Sequence, residues 1–275
     1  MNKPEIIFFG NGHLADFALE TLTPAVNVIF HARTKEDLEI VKQLKQKHPD
    51  AIGILASFGV IIKSDCLSLF EPEGILNIHP SLLPLYRGAS PIESAILAGD
   101  TNFSVSIMKL VPTMDAGPIY HQETFENPIL DKINIYKILA TAGATWLIEN
   151  LTKIQLYHST SKENLFPEYH LQDDSKATFT KKLTKAQSVL TPETDPARTT
   201  LRKIIAFQEY PKPKYNFFGQ EVIILSAHIA ENYTENTNNL LIKCADGQYI
   251  VVDRLQPISR KPMDAKSFLN GLANK

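Results

Sequence analysis

Residues 76–91 read LNIHPSLLPLYRGASP and place an Asn, a His and a Ser at alternate positions before a proline-rich loop. In an extended backbone Asn77, His79 and Ser81 point to one side, with successive members about 6.6 Å apart. Two such side chains can converge on one small group. An Asn amide can donate to a developing oxyanion, and an imidazole can carry a proton near neutral pH. The segment ends an apolar run that reads as a buried strand, and ligands of open α/β sheets gather at the carboxyl ends of strands. The same spacing also suits polar residues that only satisfy a turn, so spacing alone leaves both readings open.

A second polar loop, TMDAGP at residues 113–118, lies at another expected strand end. Asp115 could raise the basicity of His79, as carboxylates do for histidines, although an Asp before Ala-Gly is most often a turn residue. Arg87 could meet an anion, but a surface arginine is the commoner case in such a loop. The remaining histidines (His13, His31, His48, His121, His158, His170 and His228) have no metal-ligand spacing, so no metal site is expected. GNGHLA, residues 10–15, fits a dinucleotide turn between strand and helix. It lacks the acidic residue expected about 20 positions on, and Arg33 is thin support for a phosphate. A glycine turn is also what a first strand-to-helix connection needs.

The elements that must position these residues follow from periodicity. EIIFF, NVIFHA, AIGILAS and GILNIHP read as buried strands, and GNGHLADFALETL and TKEDLEIVKQLKQKH as helices between them. Thr34 is placed to cap the second helix, with Asp37 three residues on. Strands apolar on both faces, alternating with helices, argue for a parallel sheet covered by helices. SPIESAILAGD is a further helix, with Ser90 as cap, Pro91 in its first turn and Gly99 at its end. FSVSIMKL and IYHQETF form a possible antiparallel pair, and residues 131–155 a long amphipathic helix around Ile135, Leu139, Ala142 and Leu147. Residues 158–179 read as a linker over the surface. DPARTTLRKIIAFQ is one more helix. EVIILSAHI, NLLIKCA and QYIVVDRLQPI are short strands with a turn at Asp246-Gly247, suggesting a partly open barrel. The expected domains are residues 1–175, an α/β unit with a Rossmann-like, mostly parallel sheet, and residues 176–275, a smaller β-rich unit.

Composition agrees with this organisation. Hydrophobic residues make up 44% of the 275 and charged residues 21%, enough for a packed core and too apolar for a disordered chain. Cys66 and Cys244 have no metal spacing and read as buried thiols of a reducing compartment. No apolar run approaches the roughly 20 residues of a membrane span, and the first residues lack a signal-peptide pattern. A cytoplasmic protein is expected. From residue 176 onward 15 Lys and Arg face 9 Asp and Glu, a formal +6 against −8 before it. That asymmetry points weakly to an anionic partner for the C-terminal part.

LNIHPSLLPLYRGASPIESAILAGD, a strand, and then VPTMDAGPIY together resemble the active-site signature of the 10-formyltetrahydrofolate-dependent formyltransferases. IIFFGNGHLADFALETL resembles the same family's first strand and helix, which assigns the glycine turn to that scaffold. ATFTKKLTKAQSVL, LRKIIAFQEYPKPKYNFFGQEVIIL and VVDRLQPISRKPMDAKSFLNGL resemble the C-terminal part of the family's tRNA-acting branch. The resemblance implies formyl transfer from 10-formyltetrahydrofolate to the methionine of initiator methionyl-tRNA, by a monomer without a metal. The alternatives are a small-amine acceptor, such as an amino sugar on a nucleotide, or hydrolysis of the folate. It makes Asn77, His79 and Asp115 the catalytic residues. It assigns Ser81, Leu82, Leu83 and Pro84 to the folate, together with Phe58, Gly59 and Val60 from SFGVII beside the pterin. One departure stands out: where the family usually has a long basic loop after the second strand, FHARTKEDLEIVKQL passes almost directly into a helix.

Overall fold

The computed structural model of the chain describes residues 3–126, 131–160, 168–230 and 239–273. Two compact units form: Met1–Ile92 with Thr101–Lys181, and Glu93–Asp100 with Lys182–Lys275. Part of the expected linker, residues 161–167, lies outside the described residues.

In the first unit, β1 (Glu5–Gly10), α1 (Gly12–Leu22), β2 (Asn27–Ala32), α2 (Asp37–Lys47), β3 (Ile52–Ala56), the short α3 (Ser64–Leu67) and β4 (Ile75–His79) succeed one another. A two-residue strand β5 (Arg87–Gly88) follows, and then helix α4 (Pro91–Ala98), which from Glu93 onward belongs to the second unit. Then come β6 (Asn102–Lys109), β7 (Ile119–Glu126), the long α5 (Lys132–Thr160) and a second two-residue strand, β8 (Phe179–Thr180). The sheet runs β2-β1-β3-β4-β6-β7. Its first four strands are parallel, and β6 and β7 are antiparallel to their neighbours. Strands apolar on both faces thus sit between helices, as their composition requires. The expected cap of α2 is made: the Thr34 N–H donates to Asp37 Oδ2 at 2.8 Å and the Asp37 N–H to Thr34 Oγ1 at 3.4 Å.

The alternation of β4 divides its side chains. Ile75 joins a buried cluster with Ile7, Phe9, Leu55, Phe58 and Phe70. Asn77 and His79 share that face further along the strand. Ile78 points the other way, toward α5. At Gly143 of α5 an added Cβ would stand 2.7 Å from Ile78 Cγ2, so the helix lies directly on the strand.

The second unit holds α6 (Ala197–Ala206), β9 (Lys214–Phe217), β10 (Gln220–Ile229), β11 (Leu240–Lys243), β12 (Tyr249–Pro257), β13 (Met263–Asp264) and α7 (Ala265–Ala273). Its antiparallel sheet runs β11-β12-β10-β9, with β13 on β12. Register shifts around Ser226 bend β10 into a half-barrel. Ile204, Phe217, Val222, Ile224, Val252 and Phe268 are among the residues of its core. Strands β9 and β13 and helix α7 are additions to the elements expected from periodicity. Both cysteines are free and buried, and burial pushes the Cys66 thiol up to about 11.

Because α5 rests on Gly143, a larger side chain there must displace the strand that carries Asn77 and His79. Gly143→Leu is expected to lower unfolding stability by about 1–3 kcal/mol, the usual cost of overpacking, read as a fall in urea midpoint at constant m-value.

Candidate active site

Strand β4 is locked from both sides. Leu55 of β3 pairs with Asn77, and Met108 and Ser106 of β6 pair with Asn77 and His79. Asn77, His79 and Ser81 are each only 4% exposed. Among the described residues the Asn77 amide has no hydrogen-bond partner. The residue is buried as a whole but its amide atoms are not enclosed, so this donor is available to a ligand.

His79 Nε2 lies 3.3 Å from the Tyr86 carbonyl. A carbonyl can only accept, so Nε2 carries a proton, and whenever the ring is neutral Nδ1 holds the lone pair. Nδ1 faces Asp115 Oδ2 across 3.8 Å. Two acceptors cannot hydrogen-bond each other. A proton on either, or a donor placed between them, completes the contact. Asp115 Oδ2 is itself fixed by the Gly88 N–H at 2.7 Å. The structure therefore brings Asn77 and His79, from the end of β4, together with Asp115, from the loop between β6 and β7.

Backbone strain marks the same region. Ser57, Tyr86 and Asp115 have positive φ values of 52°, 57° and 48°. An L-residue in this region costs about 1–2 kcal/mol, so surrounding contacts must hold each one. In the Asp115 loop Gly117 permits the closest approach: a Cβ there would overlap the Lys109 carbonyl oxygen.

The Ser81–Pro84 segment folds back over the Asn77 face and is pinned by a buried serine. Ser106 Oγ donates to the Ser81 carbonyl at 2.6 Å and accepts from the Leu83 N–H at 3.2 Å. Gln122 Nε2 donates to Ser106 Oγ and to the Leu83 carbonyl, both at 2.9 Å. Leu83 is buried against Met108 and Ile119. Leu82 stays 41% exposed and offers its side chain outward. The Ser81 hydroxyl donates to the Leu85 carbonyl at 2.7 Å, which leaves its lone pairs for a ligand. At the end of β3, Phe58 is buried edge-on against Phe9, with centroids 5.6 Å apart. Its ring packs the core. Gly59 and the half-buried Val60 form the open part of that turn, beside Ile61 at 83% exposure.

Two expectations change. Arg87 is not a surface residue: it is 3% exposed, and its guanidinium donates to Gln172 Oε1 and Asp174 Oδ1, each at 2.7 Å from Nη2. The expected linker begins later than read, because residues 158–160 close α5, and its described residues 168–179 run over the surface as expected but are held by hydrogen bonds. The Thr178 hydroxyl accepts from the Tyr86 N–H at 2.7 Å, and the Thr178 carbonyl from the Arg87 N–H at 2.8 Å. Strand β8 pairs with β5. Ser106, Gln122, Gln172 and Thr178 had escaped the sequence. For Ser106 a signal existed, because FSVSIMKL puts two serines on one face of an otherwise buried strand.

Among the described residues no group of three His, Cys, Asp or Glu side chains could hold a metal ion. No helix among them is long and apolar enough to cross a membrane.

Residues 12–151 match the family described as formyl transferase, and residues 182–273 match the formyl transferase C-terminal domain. The chain belongs to the formyl transferase family. Methionyl-tRNA formyltransferase of Chloroflexus aggregans is 35% identical over 254 residues, covering 89% of this chain and 79% of that protein. Two solved structures share the fold of this formyl transferase. HypX from Aquifex aeolicus in complex with tetrahydrofolic acid has a TM-score of 0.74 at 18% identity, over 98% of this chain and 47% of that one. Methionyl-tRNA formyltransferase from Clostridium thermocellum has a TM-score of 0.61 at 16% identity, over 93% of this chain and 99% of that one.

Removing the Ser106 hydroxyl would strand the buried Leu83 N–H and Ser81 carbonyl. Ser106→Ala is expected to cost about 1–3 kcal/mol, the penalty for unsatisfied buried groups. Chemical denaturation measures this, and hydrogen exchange at the Leu83 amide should accelerate in the same variant.

Proposed function

We propose that this formyl transferase moves the formyl group of 10-formyltetrahydrofolate to the α-amino group of methionine on initiator methionyl-tRNA, as a cytoplasmic enzyme of translation initiation. The observation that carries the chemistry is the Asn77 amide: on a buried residue, unpartnered among the described residues, and two positions from the His79–Asp115 pair. The acceptor rests on relatives named methionyl-tRNA formyltransferase, whose similarity spans 89% of this chain.

The neutral amine attacks the formyl carbon, and a C–N bond forms. Asn77 donates to the carbonyl oxygen as it gains charge, a role worth far more in a water-poor site than in solvent. The amine proton passes, directly or through one water, into the gap between His79 Nδ1 and Asp115. The bond from the formyl carbon to N10 of the folate then breaks, and N10 takes up a proton. Tyr86 holds the imidazole in the tautomer that can accept. The pinned Ser81–Pro84 segment and the turn of Phe58, Gly59 and Val60 are suited to hold the folate on either side of Asn77. Exposed Lys212, Lys243, Arg254, Arg260 and Lys261 of the second unit are suited to the tRNA phosphates.

Asn77→Ala should fold normally and lose about 10²–10³ in kcat, the effect of removing one oxyanion donor. Near-normal turnover in a folded variant would sink the assignment. Transfer should be assayed on initiator and elongator methionyl-tRNA beside a folate-only control. Formylation of the initiator is expected, with binding that weakens steeply as salt rises. Folate turnover without tRNA product would move the acceptor to a small amine or to water.

A further inference from the structure

We infer that Gln172 is a positioning residue that sets the Asp115 carboxylate by gripping its backbone, an inference that rests on the catalytic role proposed for Asp115. Gln172 Nε2 donates to the carbonyls of Asp115 and Gly117, each at 2.8 Å. Gln172 Oε1 accepts from Arg87 Nε at 3.0 Å and Nη2 at 2.7 Å. These partners leave the amide one orientation. A guanidinium has only donors and a carbonyl only accepts, so a flipped amide would face like against like at both ends.

Asp115 is thereby held at two ends. The Gly88 N–H fixes its carboxylate and Gln172 fixes its main chain. Gly88 and Arg87 are sequence neighbours, so one segment anchors both grips. The need for a grip is plain from the backbone: Asp115 sits at φ 48°, a conformation that a β-carbon disfavours. Without the amide, nothing else among the described residues donates a hydrogen bond to the Asp115 carbonyl. The 3.8 Å spacing to His79 is the quantity at stake. A displacement near 1 Å in such a pair can cost about 10²-fold in rate.

Two substitutions separate this role from simple support of buried Arg87. Gln172→Glu keeps an acceptor for the guanidinium but has no N–H for the two carbonyls. Gln172→Met, close in size, loses both. If Gln172 only supported Arg87, Gln172→Glu would keep wild-type kcat. Positioning predicts instead that both variants lose kcat by about 10- to 100-fold, with KM for the folate little changed.

The experiment is a double-mutant cycle on the full chain: wild type, Asp115→Asn, Gln172→Glu and the double variant, assayed for formyl transfer to methionyl-tRNA. The Gly88 amide is followed in parallel by hydrogen exchange, which needs no turnover. The expected result is that Gln172→Glu costs little more once Asp115 is already Asn, and that Gly88 exchanges about tenfold faster in Gln172→Glu than in wild type. Equal losses on both backgrounds, or unchanged Gly88 protection, would overturn the inference. If wild type formylates no methionyl-tRNA, the acceptor assignment falls by itself, and Gly88 exchange still decides whether Gln172 holds the Asp115 carboxylate.

Discussion

The two-residue period of one buried strand governs the candidate site. Along β4, Leu76 and Ile78 turn away from the face that carries Ile75, Asn77 and His79. Ile78 is pressed against α5 at the glycine that lets the helix approach. A slip of one residue would bury the amide and imidazole under that helix and expose Ile78 in their place. The slip is prevented from both sides, by parallel pairing to β3 and antiparallel pairing to β6. Packing of apolar side chains on one face thus fixes the direction of polar ones on the other, and the chemistry inherits its precision from the core.

Backbone accounting explains the residues around that strand. After β4 the proline-rich segment pairs as a strand only at Arg87–Gly88, so its other buried N–H and carbonyl groups need partners elsewhere. Ser106 and Gln122 supply them below, and Thr178 supplies them from the segment before β8. The left-handed residues Tyr86 and Asp115 lie within this bonded frame. Their cost is offset by contacts that also set the His79 tautomer and the Asp115 carboxylate. Strain of this kind persists only where the surroundings over-determine it.

Much of this was legible in the sequence because it depends on local pattern. The four parallel strands, their helices and the shared face of Asn77 and His79 all follow from period and capping. What stayed hidden depends on contacts far along the chain. Arg87 read as a surface residue, since no short-range pattern announces that Gln172 and Asp174 arrive 85 and 87 residues later to receive its guanidinium. Gln172 carried no signal of its own: one polar residue in a polar linker has no period to betray it. Strands β9 and β13 are four and two residues long, too short for alternation to register. Helix α7 did have a mark, since Asp264 accepts from the Ser267 N–H at 2.7 Å in the manner of an N-cap. Phe58 was placed beside the folate by resemblance, while its side chain answers first to Phe9 and the core.

The short connection from β2 to α2 bears on how an acceptor is gripped. Residues 33–36 are tied down at several points. Asn11 Nδ2 donates to the Arg33 carbonyl at 2.5 Å, and Asp37 Oδ2 accepts from the N–H groups of Arg33 and Thr34 at 2.7 and 2.8 Å. Those backbone bonds from Arg33 and Thr34 hold the Asp37 carboxyl below its ordinary range, so the tie is present at neutral pH and weakens only as acid protonates it. The Arg33 guanidinium leans on His31 Nδ1 at 3.3 Å, whose Nε2 donates to the Gly10 carbonyl at 2.9 Å. A connection stapled in this way has no length with which to wrap a nucleic acid. Its contribution to an anionic acceptor reduces to the one guanidinium at its start and the lysine two residues on. Under the proposed function, further phosphate contacts would have to come from elsewhere in the chain, and the sequence places its positive excess after residue 176.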